Sequence, residues 1–160
     1  YSFTKRFTWL CHIILGITCA GAPVGAWLAV KASFGWIPLI LGAIVTLWVA
    51  GFDIVYGTQD IDFDKKVGLF SIPSRFGLNG ALLIARAFHL IMLILLILVG
   101  ALANLGLLYY AGVFISAILL FVEHGIIDPG HRLKMNYAAY HINQLISVIL
   151  LAFTTIDIFW

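Results

Sequence analysis

Five apolar stretches, each about as long as a bilayer is thick, constrain this chain more than any other feature. They run over residues 9–30, 36–55, 81–101, 107–127 and 138–159. A helix needs about 20 apolar residues to cross the hydrocarbon core. Only helices and closed barrels satisfy the backbone there, and these runs are continuous rather than alternating. Composition agrees. Hydrophobic residues make up 63% of the 160 and charged residues 10%, against roughly a quarter charged in soluble domains. The expectation is an all-α integral membrane protein, with residues 1–160 forming a single membrane domain of five transmembrane helices packed as a bundle.

Trp9, Trp36, Tyr109, Tyr110, Tyr140 and Trp160 fall near the ends of these stretches, where amphipathic rings favour the membrane interface. The first stretch is too long for the apolar core of a signal peptide. Its Gly16, Gly21, Pro23 and Gly25 suggest close helix packing or a kink. Cys11 and Cys19 lie within it and read as packing residues. A net charge of +2 without a basic run gives no support to nucleic-acid binding. Eight of the nine Lys and Arg residues (Lys5, Arg6, Lys65, Lys66, Arg75, Arg86, Arg132 and Lys134) fall on one side, and Lys31 on the other. The positive-inside rule therefore puts the N-terminus and the loop after the second stretch in the cytoplasm.

Four of the seven acidic residues, Asp53, Asp60, Asp62 and Asp64, lie within twelve positions at that cytoplasmic end. Ionisable groups at a span are costly and mark function by default. On a continuous helix, Asp53, Tyr56, Asp60 and Asp64 share one face, with the three carboxylates inside roughly a 40° arc, whereas Asp62 points about 180° from Asp53. Stacked carboxylates repel unless a cation compensates. Mg²⁺ fits, because it takes hard oxygen ligands and shares them with substrate phosphates. Lys65 and Lys66 follow, then Gly68-Leu-Phe-Ser71-Ile-Pro73-Ser-Arg75-Phe-Gly77. Pro73 and Gly77 mark a turn-rich loop. Carboxylates beside Lys and Arg suit a diphosphate bridged by the metal. Taken alone, Lys65 and Lys66 are topology signals, and Arg75 divides evenly between topology and phosphate contact.

The run Asp53-Ile-Val-Tyr56-Gly-Thr-Gln-Asp60-Ile-Asp-Phe-Asp64 resembles the second Asp-rich motif of the UbiA superfamily of membrane prenyltransferases, D-x-x-Y-x-x-x-D-x-x-x-D. Tyr1-x-x-x-Lys5-Arg6-x-Thr8 and Gly68-Leu-x-Ser71-Ile-Pro73-x-Arg75-Phe-Gly77 resemble two further segments of that family. The resemblance covers the whole chain and implies the last five helices of a nine-helix fold. It implies Mg²⁺-dependent transfer of a polyprenyl chain from polyprenyl diphosphate to an aromatic acceptor. Asp53, Asp60 and Asp64 would hold the metal and diphosphate. Tyr56 would contact the diphosphate or steady the allylic cation. Lys5 and Arg6 would bind diphosphate or an acceptor carboxylate, with Lys65 and Arg75 as further substrate contacts. The wording is most similar to 4-hydroxybenzoate polyprenyltransferase-like members of bacterial quinone synthesis, on the ubiquinone or the menaquinone route. That implies a bacterial inner (cytoplasmic) membrane location, with lipid around the prenyl tail. The family's first motif, N-D-x-x-D-x-x-x-D, does not occur in the chain. With no initiator Met, the chain reads as a C-terminal part that is inactive alone.

Two rival functions bear on the same acidic cluster. A CDP-alcohol phosphotransferase would carry D-G followed by A-R, which this sequence lacks. A cation-coupled carrier with an Asp-lined ion site would place its carboxylates near the bilayer midplane. Among the remaining polar residues, His12 and His89 read as packing histidines. Glu123 and His124 read as hydrogen-bonding partners within the bundle, with proton removal from the acceptor ring as the functional alternative. Asn143 and Gln144 read as interhelical partners. His131 and His141 read as interfacial, Asp128-Pro129-Gly130 as a turn, and Asp157 as lying near the outer interface.

Overall fold

A computed structural model describes residues 3–126 and 138–160. Tyr1, Ile127, the Asp128-Pro129-Gly130 turn, His131, Arg132 and Lys134 lie outside the described residues. The described residues form α1 (Cys11–Lys31), α2 (Trp36–Gly57), α3 (Ile61–Val67), α4 (Ile72–Leu102), α5 (Leu107–Ile126) and α6 (Asn143–Phe159). A 3-10 turn at Thr4–Arg6 precedes α1, another at Thr58–Asp60 joins α2 to α3, and a π turn at Ala138–Ile142 leads into α6. Five helical stretches are long and apolar enough to cross a membrane: Cys11–Lys31, Trp36–Val67, Ile72–Leu102, Leu107–Ile126 and Tyr140–Phe159. The all-α membrane fold expected from the apolar runs is therefore the one observed.

Two compact units divide the chain, one ending at Met92 and one running from Leu93 to Trp160. In the first, α1 and α2 form an antiparallel hairpin closed by Ala32 in the left-handed region (φ 49°), whose N–H donates to the Leu28 carbonyl. The pair is tight because its facing residues are small. Gly16 and Ala20 are buried on α1, and Gly42 is buried on α2. A Cβ at Gly16 would run into the Thr46 backbone carbonyl. This is the small-residue approach that membrane helices use when no hydrophobic effect drives them together. Gly21 and Gly25 are exposed and serve no such contact.

The third apolar run begins earlier than its composition suggests. Residues 72–80, read above as loop, are helical as part of α4, interrupted at Gly77 (φ 70°, ψ −179°). Pro73 near the helix start costs nothing there, since first-turn N–H groups have no partner within the helix. Gly77 supplies the backbone conformation that L side chains avoid.

In the second unit, polar side chains close the ends and seams of α5 and α6. Asp157 of α6 accepts hydrogen bonds from the backbone N–H groups of Gly106 (2.6 Å), Leu108 (3.1 Å) and Tyr109 (3.2 Å). A side chain from a distant helix thus satisfies the orphan donors at the α5 N-terminus. Asn143 Nδ2 donates to Glu123 Oε2 at 3.1 Å, the interhelical bond expected of these residues. Both residues are buried.

Candidate active site

The acidic motif does not continue as one regular helix. α2 ends at Gly57, and a 3-10 turn carries Thr58, Gln59 and Asp60 before α3 begins. The Thr58 hydroxyl donates back to the Val55 carbonyl at 2.6 Å, fastening the tighter turn. Each 3-10 residue advances about 120° rather than about 100°, so Asp64 lands roughly 80° from Asp53 instead of roughly 20°. That difference separates the carboxylates.

Asp53 and Asp60 line a cavity of about 290 Å³ together with Lys5, Cys11, His12, Tyr56 and Gly57. Tyr56 is half-exposed there. Asp64 is not among the lining residues. It is 1% exposed, and its Oδ2 accepts from the Ser71 hydroxyl at 2.8 Å and pairs with Lys5 Nζ at 3.4 Å. Of the three carboxylates expected to share a metal, the recess brings together Asp53 and Asp60, while Asp64 is turned to Lys5 and Ser71; among the described residues no three His, Cys, Asp or Glu cluster as a ready metal site. Asp62 is exposed, as its opposite face requires.

Lys5 reaches this cavity because its strand of chain is pinned from both sides. Its carbonyl accepts from the Phe70 N–H at 2.7 Å, and its ammonium is held by Asp64. Arg6 is exposed, its guanidinium 5.3 Å from the Phe3 ring centroid. Lys65 and Arg75 line a different cavity of about 360 Å³ with Gly68, Leu69, Phe70 and Ser74. There the Arg75 guanidinium stacks over Trp9 (4.9 Å) and Phe76 (5.5 Å), within cation–π range. The eight residues singled out in the sequence thus divide. Lys5, Asp53, Tyr56 and Asp60 come together, Asp64 stands behind Lys5, Lys65 and Arg75 form a second basic recess, and Arg6 belongs to neither.

Two residues at the site were given no role there by the sequence, which reads His12 as a packing histidine and Ser71 as part of a loop motif. His12 lies 1% exposed in the cavity wall, and its Nδ1 sits 2.7 Å from Asp53 Oδ2. Ser71, fully buried, supplies the hydroxyl that fixes Asp64. A histidine in an apolar span offered no local signal, since its partner lies 41 positions away. Ser71 sat inside the quoted loop motif but looked like any turn serine.

Two carboxylates, a lysine and a phenol in one recess suit an oxygen-ligated divalent cation shared with phosphate oxygens. Mg²⁺ is held in this way by one or two carboxylates plus substrate. The donor set therefore fits Mg²⁺ with a bound diphosphate.

The model of the UbiA prenyltransferase family matches residues 1–153. Among curated proteins, the 4-hydroxybenzoate octaprenyltransferase of Vibrio campbellii is 29% identical over 150 residues, covering 94% of this chain and 52% of that protein. The protein of the same name from Marinobacter nauticus is 35% identical over 124 residues, covering 78% and 42%. The chain spans about half the length of the curated relatives it matches. Among solved structures, the apo structure of a UbiA homolog from Aeropyrum pernix K1 superposes with a TM-score of 0.82 at 30% identity, over 98% of this chain and 58% of that one. A digeranylgeranylglyceryl phosphate synthase structure shares the fold with a TM-score of 0.78 at 22% identity, over 95% and 54%.

Proposed function

The chain belongs to the UbiA prenyltransferase family, and from that premise we propose that the full-length protein transfers a polyprenyl chain from polyprenyl diphosphate to an aromatic acceptor of the 4-hydroxybenzoate type in quinone biosynthesis. One observation carries the reading: Asp53, Asp60, Tyr56 and Lys5 converge on a single recess at the end of a membrane-spanning hairpin. The name shared by the curated relatives supports the acceptor class.

Asp53 and Asp60 would hold Mg²⁺, which when bound neutralises and orients the diphosphate. Lys5 binds the non-bridging phosphate oxygens, and Asp64 and Ser71 keep its ammonium in place. As the allylic C–O bond breaks, the electron pair leaves with the diphosphate, and the face of Tyr56 stabilises positive charge on the prenyl carbon. The electron-rich acceptor ring attacks that carbon, and its displaced ring proton passes to the departed diphosphate or to water. Lys65 and Arg75, in their separate recess, draw the anionic substrate toward the site. Arg6, exposed beside Phe3 and outside both recesses, would meet the diphosphate or an acceptor carboxylate only as substrate enters. The charge asymmetry of the loops supports a cytoplasmic location for this end, and the bacterial relatives support a bacterial inner membrane. The exposed apolar side chains of the spans face lipid and the prenyl tail.

The test is an assay of membranes bearing the full-length protein for Mg²⁺-dependent transfer of labelled polyprenyl diphosphate to 4-hydroxybenzoate, with Asp60→Asn alongside. Transfer that needs both Mg²⁺ and Asp60 supports the reading. An inserted protein inactive on a panel of aromatic acceptors would overturn it in favour of a cation-coupled carrier.

A further inference from the structure

The register of the α1–α2 hairpin brings His12 and Asp53 together. Where α1 and α2 meet, the Gly16 contact with the Thr46 carbonyl fixes how the antiparallel helices slide. One turn earlier on α1 and two turns later on α2, that register sets His12 against Asp53 at 2.7 Å. The imidazole cannot swing away freely. Gly57 leaves room for it on one side, since a Cβ there would come within 3.1 Å of His12 Cε1. The ring is otherwise enclosed, with the residue 1% exposed.

The two partners differ in what they can reach. His12 is sealed in the wall, whereas the Asp53 side chain keeps 26% of its surface exposed and lines the recess. A carboxylate only accepts hydrogen bonds, so Nδ1 carries the hydrogen and donates it to Oδ2. One carboxylate oxygen is thereby tied to α1, and Oδ1 is left for a ligand. Carboxylates that bind metals are commonly held by such outer partners, whose loss costs about 10- to 100-fold in metal affinity.

We infer that His12 is a positioning residue for the metal site, using its Nδ1–H to fix Asp53 so that the other carboxylate oxygen faces the bound divalent cation. The inference rests on the reading of Asp53 as a metal ligand and adds a residue from a different helix. It makes the α1–α2 packing part of the site: the glycine contact sets the register, the register sets the histidine, and the histidine sets the carboxylate.

Binding of Mn²⁺ to the full-length protein in detergent, followed by the electron paramagnetic resonance of the free ion, reads this without turnover. His12→Asn places an amide N–H near the position of Nδ1, whereas His12→Gln places it near Nε2 and His12→Phe removes it. The expected result is Mn²⁺ affinity within about threefold of wild type for His12→Asn, and a loss of about 10-fold or more for Gln and Phe. Should His12→Phe fail to insert, the contrast between Asn and Gln still decides. Wild-type affinity in the inserted Gln variant, or equal losses in Asn and Gln, overturns the inference. Asp53→Asn separates the two levels. If it weakens Mn²⁺ binding while the Gln and Phe variants do not, only the role of His12 falls. If it has no effect, Asp53 is not a ligand and the inference falls with that reading.

Discussion

The two units put the same residue type to opposite uses. In the unit ending at Met92, Asp53 and Asp60 line an open recess, and Asp53 gives one oxygen to a histidine while the rest of its carboxylate stays accessible. In the unit from Leu93 onward, Asp157 directs both oxygens at the backbone of Gly106, Leu108 and Tyr109 and caps a helix. Glu123 is buried against Asn143. A carboxylate in or near a membrane thus needs neither a metal nor a substrate when unsatisfied N–H donors are at hand. It becomes a candidate ligand where its lone pairs remain open toward a cavity. Asp64 marks the boundary between these uses, since it sits in the acidic motif but is buried on Lys5 and Ser71.

Four substitutions break or sharpen that contrast. The deepest effect is expected for Asp60→Asn, which should lower prenyl transfer by the full-length protein by about 100-fold or more, the scale of losing a group that meets developing charge. Unchanged turnover would move Asp60 to the structural class. Asp64→Leu should cost about 2 kcal/mol of stability, between the ranges for exposed and buried pairs, because Lys5 remains partly solvated. The loss is read as a lower thermal midpoint in detergent, and an unchanged midpoint would leave the Lys5–Asp64–Ser71 cluster without a stabilising role. Asp157→Ala should destabilise by about 1 kcal/mol, a normal cap loss, and leave the Mg²⁺ dependence of transfer as in wild type. A shifted Mg²⁺ requirement would show that the units do not divide their carboxylates as described. Asp62→Asn, at an exposed position, should change transfer by less than about twofold. A loss as deep as that of Asp60→Asn would mean that charge outside the recess takes part.

The five spans were legible because hydrophobic length is a one-dimensional property. Asp53 and Tyr56 were nearly as legible, since a helical period carries a face through one turn with little error, and Asp60, moved to roughly 40° from Asp53 by the 3-10 turn, still reaches the same recess. The same shift, added to a further turn of α3, carries Asp64 roughly 80° from Asp53 and out of the recess. Loop chemistry misled as well: Pro73 and Gly77 read as turn residues, yet Pro73 sits in the first turn of a helix and Gly77 marks an interruption within α4.

The sequence by itself determined that this chain is an all-α membrane protein with an acidic motif at one end of a span, because both follow from composition and local period. Tertiary structure decided which carboxylate stays available, which lysine reaches it and which histidine holds it. Those outcomes depend on contacts such as Gly16 with Thr46, His12 with Asp53 and Lys5 with Asp64, each spanning 30 or more positions of sequence. No local pattern encodes such pairs, since their energy exists only once the helices have packed.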